Sequence, residues 1–410
     1  MRIGVVGAGA SGMMAAIAAA RDGAKVTILE KNDRVGKKLL VTGNGKCNIS
    51  NLDFDMDKYY CRDKEKLQSL FQCFSVEDTI TFFEENGLML RSRDGYLYPY
   101  SEQASTVLDV FRRMLTERNI EIVTETEIME AAYKRTEKNF ILKSENRTFL
   151  FDRLILACGG PAGLKRGEGM GGFDLVRSFG HKIWPVVPGL VQLRSKDSFL
   201  KLMTGVRAKA QAVLLLNSQE SGRELGEIQF TDFGVSGIPI FQISRTAAYG
   251  LKDGKEAVVS INFFPDQKEK EFEDMAASRY KRMRDTSLEE FLLGTCNKKI
   301  NQAMIKQAGL SPSDRVEKIG LQRIIGLMKA YQGLTIRIDQ TNPIGNAQVC
   351  AGGVDLNEVD DSLQSLKCPG LYLTGEMLDV DGKCGGYNLQ WAWTSGYIAG
   401  RNAGCLELIS

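Results

Sequence analysis

The sequence predicts an α/β protein in which a discontinuous Rossmann-like domain, built from both ends of the chain, is interrupted by a β-rich and helical insert. Three observations support this prediction. A strand, a glycine turn, a helix and a second strand occupy the first 30 residues. Near the other end, a strand precedes several glycines and a helix of small residues. Between them, the pattern changes to strands at about 190–265 and to charged helices at about 268–332.

The composition is that of an ordinary globular protein. The 410 residues correspond to two or three domains at roughly 150 residues each. With 43% hydrophobic and 25% charged residues, the chain is not expected to be disordered, collagenous or a coiled coil. The 53 basic and 51 acidic residues nearly balance, so no general attraction to nucleic acid or anionic lipid is expected. Neither a membrane nor a nucleic acid is therefore the expected partner.

Cysteine and histidine usage restricts the chemistry further. Nine cysteines without a CxxC pair favour reduced thiols and a cytoplasmic location. His181 is the single histidine, which excludes most histidine-based zinc sites, and no metal is expected. The chain enters a strand directly after Met-Arg, so a secretory leader is not expected. Apolar runs are far shorter than the roughly 20 residues of a membrane span.

The N-terminal unit predicts a dinucleotide site. Strand Ile3–Val6 is followed by Gly7-Ala8-Gly9-Ala10-Ser11-Gly12, helix Met13–Ala20 and strand Lys25–Leu29. In this motif the first glycine allows the tight turn, the second admits a diphosphate and the third lets helix and strand approach. The diphosphate then lies at the helix N-terminus. Glu30, which ends the second strand, is expected to accept hydrogen bonds from ribose hydroxyls.

Several later elements follow from capping and periodicity. Ser75-x-x-Asp78 predicts a helix start. Arg153–Ala157 is an apolar strand that runs into Cys158-Gly159-Gly160. In the charged region, Thr286-x-x-Glu289 and Ser311-Pro312 are both expected to begin helices.

The C-terminal region predicts a second glycine-rich binding segment. A strand from Gly370 ends in Gly375-Glu376, and Asp379 and three further glycines lead to the helix Asn388–Ala403. Two such glycine-rich binding segments, at opposite ends of the chain, fit a ligand as long as FAD. The helix dipole would favour negative charge on a reduced flavin ring.

The sequence resembles the HI0933-like (BaiN-type) flavoproteins of the glutathione-reductase-like FAD superfamily. The resemblance is carried by GAGASG with Glu30-Lys31 and by segments 36–39, 42–48, 226–237, 347–355 and 371–400. Lys37 and Lys46 stand where the family usually has arginine, and Ile238 separates Ser236-Gly237 from Pro239.

The resemblance implies an FAD-binding domain with a β-barrel-like plus helical insert. The resulting division places the FAD-binding domain at 1–188 and 351–410, the β-rich insert at 189–268 with 333–350, and the helical insert at 269–332. Together with the glycine motifs it predicts cofactor contacts by Gly7, Ala8, Gly9, Ala10, Ser11, Gly12, Glu30, Lys31, Lys37, Lys38, Asn44, Ile128, Ala157, Gly159, Gly375, Glu376, Asp379, Gly386, Tyr387, Asn388 and Leu389.

The activity implied by the resemblance is FAD-dependent, NAD(P)H-linked reduction of a C=C bond conjugated to a ketone, with bile-acid-like steroids as one substrate class. No catalytic residue is assigned, and the oligomeric state is left open. Two alternatives remain: an FAD-bound RNA-modifying protein, which would show salt-sensitive RNA binding, and a non-catalytic flavin sensor.

Three other features are interpreted as structural. Gly167-x-Gly169-x-x-Gly172 repeats the glycine spacing but follows no strand, so a loop and helix start near the cofactor are expected there. Cys47 has no CxxxxC partner, so a redox role is not expected. His181 is expected to be a structural residue rather than a proton donor.

Overall fold

A computed structural model describes residues 1–20, 23–163, 170 and 172–405. The strands are β1 Arg2–Val6, β2 Lys25–Leu29, β3 Ser50–Asn51, β4 Tyr59–Tyr60, β5 Leu90–Arg93, β6 Tyr96–Pro99, β7 Glu121–Val123, β8 Glu130–Lys134, β9 Asn139–Lys143, β10 Thr148–Phe151, β11 Arg153–Leu156, β12 Val187–Gly189, β13 Leu193–Arg194, β14 Arg207–Leu216, β15 Gln219–Thr231, β16 Gly234–Ser236, β17 Ala257–Asn262, β18 Leu334–Ile338, β19 Gln340–Thr341, β20 Val349–Ala351, β21 Leu371–Leu373 and β22 Asp381–Gly382. The helices are α1 Ala10–Ala19, α2 Lys64–Cys73, α3 Val76–Glu85, α4 Ala104–Glu117, α5 Phe173–Ser178, α6 Leu200–Met203, α7 Ile238–Lys252, α8 Glu269–Met283, α9 Leu288–Phe291, α10 Lys298–Gln307, α11 Val316–Ile319, α12 Leu321–Ala330 and α13 Tyr387–Gly404.

The chain divides into two compact units. The first comprises Met1–Val186 with Gln348–Ser410, and the second is Val187–Ala347. These limits lie within three residues of the boundaries expected at 188/189 and 350/351. The β-rich and helical parts of the second unit share one hydrophobic core, whereas the sequence treated them separately. The division of the protein into domains stays a prediction.

The first unit contains the predicted Rossmann-like sheet. Five parallel strands run in the order β21–β11–β1–β2–β7, with Val5 paired to Ile155 on one side and to Ile28 on the other. The central strands are buried along nearly their whole length, as expected of a sheet covered on both faces. The α/β fold class is therefore confirmed.

Helices α1 and α13, which come from opposite ends of the chain, pack against each other. A Cβ on Gly396, Gly400 or Gly404 would collide with the carbonyl oxygen of Ser11, Ala15 or Ala19 respectively. Only glycine permits so close a backbone approach. Because the contacts advance together along both helices, the two helices run in the same direction. Helix α13 begins nine residues before Gly396 and α1 begins one residue before Ser11, so their N-termini are offset by about 12 Å along the axis.

The second unit is built on one antiparallel sheet in the order β18–β17–β14–β15–β16–β13–β19. Its edge strands are therefore β18 and β19. The sheet and helices α6 to α12 bury their apolar residues in a common core that includes Phe230, Phe272 and Tyr331. No helix in the described part of the chain has the length and apolar character needed to cross a membrane.

Two predicted helix starts in this unit are wrong in detail. The capping box in the structure pairs Ser287 with Glu290, one residue later than predicted from Thr286 and Glu289. Ser311 does not begin a helix, and α11 starts only at Val316. The reason is a tertiary backbone pairing: the amide of Leu288 donates to the carbonyl of Asp314, and the amide of Val316 donates to that of Thr286. The predicted box at Ser75 and Asp78 is confirmed.

Candidate functional site

The glycine turn between β1 and α1 leaves an open helix N-terminus. Gly7 has a φ of +102°, and a Cβ there would lie 2.5 Å from the carbonyl oxygen of Ala157. A Cβ on Gly12 would collide with the carbonyl oxygen of Gly7, so helix and strand are in close contact. Gly9 is the N-cap of α1, and a Cβ there would meet nothing within 4 Å. The amides of Ala10 and Ser11 follow directly, and diphosphate binding at this open end stays a prediction.

Glu30 is held beside this turn. Its side chain is buried, and its Oε2 accepts a hydrogen bond from the Ala8 amide at 2.7 Å. Its Oε1 accepts from the amide and side chain of Asn32 at 2.8 and 2.6 Å. Since a carboxylate oxygen accepts more than one hydrogen bond, Glu30 can still receive a ribose hydroxyl. Thr126 donates its amide to the Glu30 carbonyl, which brings the segment leading to Ile128 alongside.

The carboxyl ends of the parallel strands bring four more predicted contacts together. Strand β11 runs into Ala157 and Gly159, and β21 runs through Thr374 into Gly375 and Glu376. A Cβ on Gly159 would lie 3.7 Å from Oε2 of Glu376, and one on Gly375 would lie 2.6 Å from the Ser11 hydroxyl. Ligands of open α/β sheets bind at this edge.

Lys38 and Glu376 form an ion pair at the same edge. Their Nζ and Oε2 atoms are 2.7 Å apart, and the other oxygen of Glu376 accepts from the Cys350 amide at 3.1 Å. The Lys37 ammonium, in contrast, is half exposed and lies 3.7 Å from Asp33, and the Lys31 side chain is exposed. Lys38 therefore has a partner at this edge that Lys37 lacks.

The N-terminus of α13 forms a second open turn. Gly386, its N-cap, is left-handed with a φ of +95°, and a Cβ there would lie 2.5 Å from the Ser50 carbonyl oxygen. The Asn388 side chain closes the preceding loop by bonding both the amide and the carbonyl of Gly382, at 2.9 and 2.7 Å. Leu389 is partly buried against the core of the first unit.

Tyr387 is anchored by its own hydroxyl. The hydroxyl donates to the Asp53 carbonyl at 2.9 Å, and burial raises the pKa of Tyr387 to about 12. The phenol is therefore already engaged with the backbone.

An unsatisfied amide lies between these glycine segments. Asn48 is buried, and its Oδ1 has no hydrogen-bond partner among the described residues. A Cβ on Gly386 would lie 2.9 Å from that oxygen, and one on Gly43 would lie 3.0 Å from the Asn48 amide nitrogen. Asn44 follows Gly43 with a φ of +55°. A buried acceptor without a donor is costly and calls for a ligand donor. An isoalloxazine ring, which carries N–H groups at its edge, fits this arrangement.

Asp379 is oriented by Val354 and Arg62, which belong to neither of the two open turns. Its amide donates to the Val354 carbonyl at 2.7 Å, and its Oδ2 accepts from Nε of Arg62 at 3.2 Å. The Arg62 guanidinium lies 3.5 Å above the Trp184 ring. The carboxylate is thus oriented by a cation that sequence reasoning did not identify.

The structural interpretations of Cys47 and His181 agree with their surroundings. Cys47 is fully buried, and burial raises its pKa to about 12, so the reactive thiolate is scarce near neutral pH. The buried His181 ring lies between Glu358 and Ser365, at 2.7 Å from each. Burial lowers the pKa of His181, which favours the neutral ring. The second glycine motif at 167–172 lies mostly outside the described residues.

Sequence reasoning missed two tyrosines, one beside Gly385 just before α13 and one beside Gly43. Tyr96 and Tyr98 lie on β6, in the small sheet β3–β6–β5. The Tyr96 Cε1 atom is 3.0 Å from the position of a Cβ on Gly385, and the Tyr98 Cε1 atom is 3.9 Å from one on Gly43. The alternation of tyrosine with Leu97 and Pro99 indicates a strand with one polar face, but nothing local places that face near residue 385.

Comparison with known proteins places the chain in context. A family model described as HI0933-like protein Rossmann domain matches residues 1–402. The chain is 42% identical over 405 residues, covering 98% of each protein, to a 3-dehydro-bile acid delta(4,6)-reductase of Clostridium scindens. It is 26% identical over 404 residues to a ribosomal RNA dihydrouridine synthase of Escherichia coli, covering 97% of this chain and 96% of that protein.

Among solved structures, a 3-ketosteroid-delta4-(5alpha)-dehydrogenase from Rhodococcus jostii RHA1 is similar, with a TM-score of 0.50 at 14% identity. The match covers 98% of this chain and 96% of that chain. At this level of identity the similarity shows the fold alone.

Proposed function

The chain belongs to the HI0933-like family, and we propose that it is an FAD-dependent oxidoreductase that reduces a C=C bond conjugated to a ketone. We further propose a bile-acid-like steroid as the substrate and NAD(P)H as the electron source. The observation that carries the proposal is the 42% identity to a bile acid reductase across 98% of both proteins. The two open helix N-termini of the first unit support it.

In this proposal, different residues of the first unit bind different parts of FAD. The turn Gly7–Gly12 would bind the diphosphate, and Glu30 would bind the adenosine ribose. Lys38 and Glu376 would bind the flavin end of the chain between the two turns. The α13 turn and Asn48 would hold the ring, and the offset of about 12 Å between the helix N-termini agrees with an elongated ligand.

The protein's own contribution to the chemistry is orientation and charge stabilisation. Bound FAD supplies a carrier that accepts hydride from NAD(P)H and donates it to an electron-poor double bond. The N-terminus of α13 carries partial positive charge and so stabilises an anion next to Gly386. The glycines at 385 and 386 keep the approach to this point free of side chains. A substrate held there has its double bond positioned for transfer.

The test is an anaerobic half-reaction series on the purified protein. We expect yellow protein that NADH or NADPH bleaches, followed by reoxidation with a 3-oxo-4,6-diene or 3-oxo-4-ene bile acid. The matched control is the same steroid with a saturated ring, which offers no C=C bond to reduce. Protein that cannot take up FAD, or reduced protein that no enone reoxidises, would contradict the proposal.

A second candidate, modification of ribosomal RNA, is favoured by the 26% identity to the Escherichia coli enzyme. The charges of the second unit count against it. Lys329 is paired with Glu269 and Glu273, and Lys298 lies 2.9 Å from Glu289. These lysines are therefore partly neutralised and do not form a basic stripe. Binding of ribosomal RNA that weakens steeply between about 50 and 200 mM salt would support this candidate.

A further inference from the structure

The arginine that orients Asp379 lies beside the segment that leads from Glu376 to the α13 turn. Strand β4 pairs with β22, with Tyr60 opposite Asp381, and Arg62 follows β4 by two residues. On the other side of this pairing, Asp379 precedes β22 by two residues. The ion pair of Arg62 and Asp379 thus lies next to the two-stranded ribbon that connects the Glu376 edge with the α13 turn.

The guanidinium of Arg62 is fixed on two sides. Its Nε donates to Oδ2 of the buried Asp379 at 3.2 Å, and its Cζ lies 3.5 Å from the centre of the Trp184 ring. Trp184 is itself held, because its indole N–H donates to Asp355 at 2.9 Å and its amide to the Gly353 carbonyl at 2.8 Å. An arginine that is stacked and bonded through Nε is oriented before a ligand binds.

The two terminal nitrogens of Arg62 are available to a ligand. Nη1 and Nη2 make no hydrogen bond to any residue that the structure describes, and 51% of the side chain is exposed. Nearby lysines are engaged within the protein: Lys38 and Lys58 each pair with a carboxylate, and Lys64 donates to two backbone carbonyls. Arg62 therefore presents a fixed, charged pair of donors beside the proposed cofactor site.

The carboxylates beside Arg62 indicate which ligand oxygen it suits. Asp379 lies against its Nε and Asp355 against the Trp184 indole, so two carboxylates already accompany one cation. A ligand carboxylate would bring a further full negative charge and be repelled by both. A ketone oxygen is neutral when it binds, and an enolate spreads its new charge over the oxygen and the α-carbon. Because arginine stays protonated at neutral pH, Arg62 can donate hydrogen bonds to such an oxygen but cannot act as an acid.

We propose that Arg62 hydrogen-bonds the ketone oxygen of the substrate and stabilises the enolate, with Asp379 and Trp184 as positioning residues. The proposal rests on the proposed function. Hydride, drawn from NAD(P)H by way of FAD, forms a C–H bond at the β-carbon. The C=C electron pair moves to the bond between the α-carbon and the carbonyl carbon, and the C=O pair moves onto the oxygen beside Arg62. The α-carbon then takes a proton from water, and Arg62 keeps its own proton throughout.

The kinetic experiment compares Arg62→Gln with Arg112→Gln. Arg112 on α4 is a matched control, because it also lies 3.2 Å from a carboxylate and its side chain is 46% exposed. Anaerobic stopped flow measures reduction by NAD(P)H and reoxidation by the enone separately. For Arg62→Gln we expect reoxidation about 100-fold slower and reduction unchanged, because the lost donors act on the substrate oxygen. For Arg112→Gln we expect wild-type rates in both steps.

A binding measurement distinguishes contact with the oxygen from a structural role. The probe is a steroid with a phenolic A ring, which resembles the enolate, and its absorbance shows whether it binds as the phenolate. Oxidised wild type should bind this phenol more tightly than the 3-deoxy analogue. Arg62→Gln should bind the phenol about tenfold more weakly than wild type does, and the 3-deoxy analogue equally tightly.

The outcomes separate this proposal from the proposed function. If the enone reoxidises wild type and Arg62→Gln at the same rate, the role of Arg62 is overturned while the function stands. The role is also overturned if wild type does not prefer the phenol, or if Arg62→Gln loses affinity for both steroids equally. If no enone reoxidises wild type, both proposals fail.

A second variant keeps the test open if Arg62→Gln does not fold. Arg62→Lys retains the charge, but a single ammonium cannot hold Asp379 and the ketone oxygen in the geometry of the guanidinium. We expect its reoxidation to be about tenfold slower than that of wild type. An unchanged reoxidation rate in Arg62→Lys overturns the proposal.

Discussion

The two open helix N-termini of the first unit are built in opposite ways. At α1, six consecutive residues form the turn, and the adjoining Glu30 has protein partners for both oxygens. At α13, the turn depends on Ser50, Asn48 and Gly43, which are more than 330 residues away in the chain, and one buried acceptor has no donor in the part of the chain that the structure describes. The first turn is therefore formed by neighbouring residues in the chain, whereas we propose that the ligand completes the second.

The largest effect is expected where the two helices meet. Gly400→Ala places a Cβ against the Ala15 carbonyl, so we expect a loss of about 1–3 kcal/mol in the free energy of unfolding. The matched control is Gly326→Ala in α12, where a Cβ meets nothing within 4 Å. Because alanine is the better helix former, that variant should gain about 0.5–1 kcal/mol.

Denaturant unfolding of both FAD-free variants measures this difference. Equal stabilities would show that the approach of α1 to α13 does not hold the two turns in place.

The next prediction distinguishes an effect on folding from an effect on FAD binding at the N-terminus of α1. Gly9→Asp supplies a favourable N-cap in open space, so the FAD-free protein should be at least as stable as wild type. Its negative charge repels a diphosphate, so FAD affinity should fall at least about 100-fold. Gly9→Asn, of the same size and uncharged, should lose less. Fluorescence titration with FAD provides the measurement, and identical affinities for the two variants would place the diphosphate elsewhere.

The smallest effect concerns the unsatisfied acceptor at α13. Asn48→Leu removes a buried side-chain oxygen that has no partner among the described residues, so the FAD-free protein should not lose stability beyond about 1 kcal/mol. If the ring supplies the missing donor, FAD should bind about tenfold more weakly. Thr374→Val, which removes another buried oxygen that has no partner among the described residues, serves as the comparison. An FAD affinity equal to that of wild type in Asn48→Leu would contradict the proposed ring position.

Much of the first turn could be predicted because its determinants are consecutive. The spacing of Gly7, Gly9 and Gly12 after a strand was sufficient to predict the turn, the helix and the acidic residue beside it. The capping pattern predicted the helix start at Ser75 equally well. The helix start predicted at Ser311 was wrong, because long-range backbone pairing takes its place there. The difference is whether the competing hydrogen bonds come from the same segment or from a distant one.

The sequence by itself determined the α/β class, the α1 turn and the existence of a glycine-rich helix at the C-terminal end, because each rests on interactions within about ten residues. Only the tertiary structure decided that Gly396, Gly400 and Gly404 pack on α1 and that Asn48 and Tyr96 meet the α13 turn. Those contacts join residues that are hundreds of positions apart. No local pattern encodes their partners, because a side chain's distant neighbours are set by how whole helices and strands pack.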